Sequence, residues 1–232
     1  MSKKKTSMPR NDKTRILIVD DHWVVVEGIK SALDNHGEFE VVGTASDGIE
    51  AIKAVKSLGP DIVVMDISMR NMNGIEATYE IKKLNSKIRI IIFSMYSDKE
   101  YILSLFTAGI SGYVLKEETT SDLILALKSV KGGGTYFSRP VQETIQQRMK
   151  DLELGGGRAG LEMDDGLIRL SIREKELFPL LADGLSSREI SKRLNISPKT
   201  VESHKYNIMD KLNAKSVSDL TKIALRKNLI KL

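Results

Sequence analysis

The sequence predicts an α/β protein in which a parallel sheet, covered by helices on both faces, is followed by a small all-helical module. Three observations carry this expectation. Up to about residue 133, short apolar runs alternate five times with segments whose apolar residues recur at helical spacing. From Leu167 onward the strand-like runs disappear and only helical patterns remain. The charge divides along the same line. Ile16 to Gly166 holds 16 Lys/Arg against 23 Asp/Glu, whereas Leu167 to Leu232 holds 14 against 7. An acidic body with a basic C-terminal module suggests that the two parts meet different partners, and the basic part is the nucleic-acid candidate.

The elements follow in order. "RILIVD" (Arg15–Asp20) reads as a strand, and Val25, Ile29, Ala32 and Leu33 then recur at helical spacing before Gly37. "FEVVGTA" (Phe39–Ala45) is a second strand, and "DGIEAIKAVKSLG" (Asp47–Gly59) a helix with a Gly stop. In "DIVVMDISMRNMNG" (Asp61–Gly74) a β-branched run follows Pro60 and ends on Asp66, as in a strand buried on both faces. "GIEATYEIKKL" (Gly74–Leu84) is a helix, "IRIIIFS" (Ile88–Ser94) a fourth strand and "DKEYILSLFTAG" (Asp98–Gly109) a helix. "GYVLK" (Gly112–Lys116) is a fifth strand and "TSDLILALKSVKGG" (Thr120–Gly133) a helix capped by Thr120 or Ser121. The βα pattern stops at Gly132-Gly133-Gly134.

The expected organisation is a basic, disordered leader over residues 1–14, an α/β domain over 15–133, a linker over 134–166 and a helical domain over 167–232. Within the linker, Ser138–Leu154 fits one further helix, and Gly155–Gly166 has the glycine content of a flexible segment. No apolar run approaches the ~20 residues of a membrane helix, and the basic start lacks the apolar core of a secretory signal. Cysteine is absent, which excludes disulfides and thiolate metal sites and fits a reducing cytoplasm.

The predicted strand ends carry the chemistry. Strand one ends in Asp20-Asp21, strand three in Asp66, strand four in Ser94 and strand five in Lys116. In a parallel sheet these ends share one edge, where ligands gather. A polar strand terminus accounts for any one of them, but not for the set. Carboxylates so close repel one another and need a cation, and hard oxygen donors suit Mg²⁺. Lys116 and Ser94 can meet phosphoryl oxygens, which leaves Asp66 as a carboxylate nucleophile for phosphoryl transfer. Trp23, the only Trp, stands two residues after Asp21 at the rim of this pocket.

"IVDDH", "VVMDISM…NG", "IIFSMYS" and "AGISGYVLK" together resemble the receiver domain of two-component response regulators, over about Arg15 to Gly133. The resemblance implies a flavodoxin-like (βα)₅ fold. It implies that Asp66 is the phosphoacceptor, served by a sensor histidine kinase. It further implies Mg²⁺ held by Asp21, Asp66 and the Ser68 carbonyl, with Asp20 acting through water. Ser94 and Lys116 would contact the phosphoryl group, with Tyr113 as the switch aromatic. One position departs from the family: Arg70 stands where Pro is usual, so the loop after Asp66 lacks a ring that fixes φ. Dehalogenase-like phosphatases also use an Asp nucleophile, but carry a second Asp two residues later, where this chain has Ser68.

The basic module divides into four helical pieces, from Ser171 to Ala182, Ser187 to Leu194, Ser197 to Leu212 and Ser216 to Arg226. Asn195-Ile196-Ser197 is a tight turn between the second and third, a helix-turn-helix pattern, and Ser197-Pro198 is a strong helix start. At ~100° per residue, Val201, Ile208 and Leu212 face inward on the third helix. Lys199, Glu202, Ser203 and Tyr206 face outward, with His204 and Lys205 on the flanks. "LSIREKELF", "GLSSREISKRLNISPKTVESH" and "IMDKLNAKS" resemble the LuxR/NarL-type DNA-binding domain over about Leu170–Arg226. The resemblance implies that Glu202, Ser203 and Tyr206 read bases of double-stranded DNA. Lys199, Thr200, His204, Lys205 and Asn207 would hold phosphates, and the fourth helix would form a homodimer contact.

The two halves together imply a cytoplasmic, phosphorylation-controlled transcription regulator that acts as a homodimer. It would have no membrane association and no enzyme activity beyond its own phosphoryl transfer and dephosphorylation. The alternatives are a DNA-binding regulator independent of phosphorylation and a phosphoaspartate-forming phosphatase.

Overall fold

The computed structural model describes residues 13–153, 167, 170–227 and 229–230. The expected leader, and the expected glycine-rich segment over 155–166, lie outside the described residues. The chain forms two compact units.

The first is built on β1 (Thr14–Val19), β2 (Phe39–Ala45), β3 (Ile62–Met65), β4 (Arg89–Ser94), β5 (Gly112–Leu115) and β6 (Tyr136–Phe137). All pairs are parallel and the order is β2-β1-β3-β4-β5-β6. Parallel strands need crossovers, and these are α1 (Trp23–Asp34), α2 (Gly48–Leu58), α3 (Gly74–Leu84), α4 (Lys99–Thr107) and α5 (Thr120–Lys131). The strand order reverses between β1 and β3, the switch point at which a doubly wound sheet opens a crevice beyond its carboxyl ends. On one face Ile16, Ile18, Val64, Ile91 and Val114 pack against Ile29 and Leu33 of α1 and Leu123, Leu127 and Val130 of α5. This is the flavodoxin-like arrangement the sequence predicts.

Two details differ from expectation. The sheet does not stop at the triple glycine. After Gly133, at φ 85°, the chain returns to lay β6 beside β5. The Ser138 hydroxyl then accepts from the Leu115 N–H at 3.1 Å and donates to Glu118 at 2.7 Å. A two-residue strand has no periodicity to read, and this one exists because the edge of β5 is there to pair with. The cap of α5 is Thr119, not Thr120 or Ser121: the Asp122 carboxylate accepts from the Thr119 N–H and hydroxyl. After β6, α6 runs over Arg139–Glu153.

The second unit contains α7 (Ile172–Ala182), α8 (Ser187–Leu194), α9 (Pro198–Lys211) and α10 (Val217–Arg226). Ser171, Ser186, Ser197 and Ser216 cap them, each accepting from a backbone N–H three residues on. Leu177, Phe178, Leu181, Ile190, Val201, Ile208, Leu220 and Ala224 form the core.

Gly74 opens α3 against the backbone of the Asp66 loop. A Cβ there would lie 1.9 Å from the Asp66 carbonyl oxygen, so backbone must shift to admit any side chain. Gly74→Ala is expected to destabilise the chain by about 1–3 kcal/mol, the usual range for overpacking. Denaturant unfolding checks this, and a midpoint equal to that of the parent chain would refute it.

Candidate acidic site and candidate nucleic-acid interface

The acidic site is assembled by strand register. Val19 of β1 pairs with Met65 of β3, Met65 with Ile92 of β4, and Ser94 with Leu115 of β5. The next residues therefore emerge side by side at the switch point. The Asp66 N–H donates to the Val19 carbonyl at 2.8 Å, and the Lys116 N–H to the Ser94 carbonyl at 2.9 Å. Asp20, Asp66 and Ser94 are buried. The Lys116 Nζ bridges two carboxylates, 2.6 Å from Asp20 Oδ2 and 3.2 Å from Asp66 Oδ2.

That bridge leaves Asp66 Oδ1 buried without a hydrogen-bond partner, as are Asp21 Oδ1 and Ser94 Oγ at the same edge. Burial pushes the Asp66 carboxyl above the usual carboxylate range, Lys116 pulls it back, and Asp20 pushes it up again. One ligand atom each from Asp20, Asp21, His22 and Asp66 lies within 4.8 Å of every other. An orphaned carboxylate oxygen among clustered acidic oxygens fits a hard divalent cation such as Mg²⁺. Ser68 is half-buried in the loop after Asp66. Trp23 is 75% exposed and lines a shallow depression with Asp20, Asp21 and Glu50.

Arg70 is exposed, and the loop that carries it is tied down without a proline. Asn71 takes φ 58° and its side-chain N–H donates to Asp47 at 2.7 Å. The Gly48 N–H donates to the Met72 carbonyl, and Asn73 caps α3 through a reciprocal pair with Glu76. Tyr113 is fully buried, and its hydroxyl donates to the Tyr96 carbonyl in the segment after Ser94. The sequence reasoning missed His22, whose Nδ1 joins the acidic cluster. Its place directly after two carboxylates was the available signal.

In the helical unit the turn is built by Asn195, at φ 51° in the left-handed region, which ends α8. Arg173 donates to the Leu194 carbonyl at 2.6 Å and fixes α7 against that turn. Glu174, 2% exposed, accepts from the Ser171 N–H at 2.7 Å and from Lys211 at 2.9 Å, locking the end of α9 to the start of α7. The resulting α9 buries Val201 and Ile208 and exposes Lys199, Thr200, Glu202, Ser203, Tyr206 and Asn207. Lys205 is half-buried. His204 is also half-buried, its Nδ1 shielded and without a hydrogen-bond partner, and burial lowers the pKa of its imidazole. The Glu202 carboxylate is held by the Ser187 hydroxyl of α8, which donates to Oε1, while Lys205 Nζ stands off at 3.7 Å from Oε2, a loose surface pairing. The Thr200 hydroxyl lies 2.7 Å from that of the cap Ser197.

Residues 16–128 match the family described as the response regulator receiver domain, and residues 169–224 match the bacterial regulatory proteins of the luxR family. The chain is 37% identical over 217 residues to the oxygen regulatory protein NreC of Staphylococcus carnosus, covering 93% of this chain and 99% of that one. The chain belongs to the NarL/LuxR-type response regulators. Among solved structures it is similar to RcsB of Salmonella typhimurium, at 27% identity and a TM-score of 0.55, over 93% of this chain and 100% of that one. It is also similar to RcsB of Salmonella enterica serovar Typhimurium bound to a promoter in the presence of phosphomimetic BeF₃⁻. That match has 28% identity and a TM-score of 0.56, over 91% of this chain and 97% of that one. This response regulator thus carries a receiver domain and a LuxR-type DNA-binding domain. Among its described residues no helix is long and apolar enough to cross a membrane.

The elevated Asp66 carboxyl has a consequence for stability. The folded state disfavours ionisation of Asp66 relative to the unfolded chain. Its contribution is therefore neutral below the unfolded pKa and becomes destabilising as pH rises through the unfolded value toward the folded one. In Mg²⁺-free buffer at neutral pH, Asp66→Asn is expected to melt at a higher temperature than the parent chain. The gap should shrink at acid pH and on adding Mg²⁺. A variant that melts lower at every pH would overturn this.

Proposed function

We propose that this response regulator is controlled by phosphorylation of Asp66, and that the phosphorylated chain binds double-stranded DNA as a homodimer. The observation that carries the reading is the Lys116 bridge between Asp20 and Asp66, which leaves Asp66 Oδ1 buried and unpartnered at the switch point of the sheet.

The donor is a phosphohistidine on a sensor histidine kinase. One oxygen of the Asp66 carboxylate attacks phosphorus, the new O–P bond forms, and the P–N bond breaks with its electron pair returning to the imidazole of the kinase. Lys116 neutralises charge on the phosphoryl oxygens and the Ser94 hydroxyl donates to one of them. Asp21, Asp66 and the Ser68 carbonyl would hold Mg²⁺, with Asp20 acting through water. The ion supplies positive charge to the phosphoryl oxygens. Hydrolysis of the acyl phosphate returns the carboxylate and inorganic phosphate, and Ser68 stands where a phosphatase would need a general base. Persistence of the phosphoaspartate suits a signal.

The state of the site reaches the rest of the receiver through the segment between Ser94 and Tyr96. A Ser94 hydroxyl drawn to the phosphoryl group moves that segment and loosens the Tyr113 hydroxyl from the Tyr96 carbonyl. This gives the equilibrium two states for phosphate to bias. The output is α9, with Glu202, Ser203 and Tyr206 on base edges and Lys199, Thr200, Lys205 and Asn207 near phosphates. His204 supports α9 from its flank, with its other ring nitrogen left for phosphate.

Incubation with a small phosphodonor and Mg²⁺ is expected to label the parent chain with acid- and base-labile phosphate and to raise its affinity for DNA from its own upstream region. Asp66→Asn should lose both effects. Undiminished labelling of that variant would sink the assignment of Asp66.

Affinity and specificity should separate on α9. Lys205→Ala is expected to weaken binding to all duplexes alike and to lower the salt slope by roughly one unit. A carboxylate near DNA is tolerable only where a base donor such as cytosine N4 repays it. Glu202→Gln should accordingly change the preferred base at one half-site position, by about 1–3 kcal/mol of discrimination. Ser187→Ala, which frees the same carboxylate, should blur that position. Selection from randomised duplexes checks all three. A new preferred sequence with Lys205→Ala, alongside an unchanged one with Glu202→Gln, would reverse the assignment.

A further inference from the structure

We infer that His22 is a further protein ligand of the acidic site and tilts its choice of metal toward divalent cations that accept an imidazole nitrogen, such as Ni²⁺ or Co²⁺. The inference rests on the metal reading of the pocket given above.

Geometry places the ring there. His22 Nδ1 stands 2.9 Å from Asp21 Oδ1 and 3.3 Å from Asp20 Oδ1. One ring nitrogen of His22 and one carboxylate oxygen each from Asp20, Asp21 and Asp66 form a set of four atoms that all lie within 4.8 Å of one another. An ion with bonds of ~2.0–2.2 Å places opposite ligands ~4.2 Å apart, so small adjustments allow a single ion to touch all four. The unpartnered Oδ1 of Asp66, on a side chain 4% exposed, is the separate sign that the set awaits a cation.

Neither packing nor helix capping holds the ring in place. The His22 side chain is 67% exposed, so no apolar surroundings press it against the carboxylates. His22 occupies the N-cap of α1, yet its side chain makes no capping hydrogen bond. What holds it is the carboxylates themselves: the His22 N–H donates to Asp20 Oδ1 at 2.9 Å and its Nδ1 lies 3.3 Å from the same oxygen, so the ring already faces the oxygens an ion would share.

The chemical consequence is selectivity. Carboxylates, carbonyls and water suit Mg²⁺, whereas an imidazole nitrogen adds affinity for later divalent metals. A site of three carboxylates and one histidine should therefore accept Mg²⁺ with the ring standing aside, and hold Ni²⁺ or Co²⁺ with the ring as ligand. The ring is a ligand that the receiver can use or leave according to the ion.

The test uses the untagged full-length chain. Mg²⁺ and Ni²⁺ are titrated separately by calorimetry into the parent chain, His22→Ala and Asp21→Ala, with Trp23 fluorescence followed in parallel as a reporter at the rim. His22→Ala is expected to leave Mg²⁺ affinity within about twofold and to weaken Ni²⁺ by about tenfold or more, the scale of ~1.4 kcal/mol. Asp21→Ala should weaken both. An unchanged ratio of Ni²⁺ to Mg²⁺ affinity in His22→Ala overturns the inference while leaving the metal site standing. So does a Ni²⁺ isotherm that survives Asp21→Ala intact, since the ion would then sit elsewhere, at His36 or His204. A parent chain that binds no Mg²⁺ overturns the metal reading itself.

Discussion

Lys116 is the charge on which the receiver's functional edge depends. Two buried carboxylates, Asp20 and Asp66, emerge from neighbouring strands at the switch point, and the Lys116 ammonium lies within 2.6 and 3.2 Å of them. Taking ions out of water is costly, and carboxylates so placed repel each other. One cation between two anions leaves the cluster negative, and burial, only partly offset by Lys116, holds the Asp66 carboxyl above the usual carboxylate range. The pocket is therefore stable enough to fold and still electrostatically unsatisfied. A divalent cation and a phosphoryl group suit that imbalance.

The helical unit solves a related problem with the opposite outcome. Glu174 is as buried as the pocket aspartates, but its charge is consumed: the Ser171 N–H caps it at one side and Lys211 pairs with it at 2.9 Å. This carboxylate works as a fastener between α7 and α9. A satisfied buried charge fixes geometry, while an unsatisfied one invites a ligand, and the chain uses both. The fastener matters because α9 projects seven exposed polar residues whose use depends on the pitch of the helix.

Much of the fold was legible because its signals are local. β-branched runs, glycine stops and serine caps read correctly, down to Ser187–Leu194 for α8. The acidic residues at the strand ends were legible as a set because a parallel sheet has one carboxyl edge. The N-cap of α5 lies one residue before Thr120 and two before Ser121 because three hydroxyl residues compete there, and the choice falls to the one that Asp122 can reach. β6 was invisible because two residues carry no period. Arg70 reads as a loosened loop, whereas Asn71 and Met72 bond that loop to Asp47 and Gly48, distant in sequence, and Asn73 closes it locally by capping α3.

What the sequence determined by itself is the inventory: which segments are strands and helices, which strand ends carry carboxylates, and which face of α9 is polar. Local propensity, capping chemistry and periodicity are enough for that. The tertiary structure decided the pairings. Register alone brings Asp20 and Lys116, ninety-six positions apart, to a 2.6 Å contact and leaves Asp66 Oδ1 without a partner. The Asp20 carboxylate accepts from the His22 N–H and holds His22 over the pocket, and the packing of α8 on α9 sets Ser187 against Glu202. Distances between residues remote in the chain follow from strand order and helix packing, and no local pattern encodes them.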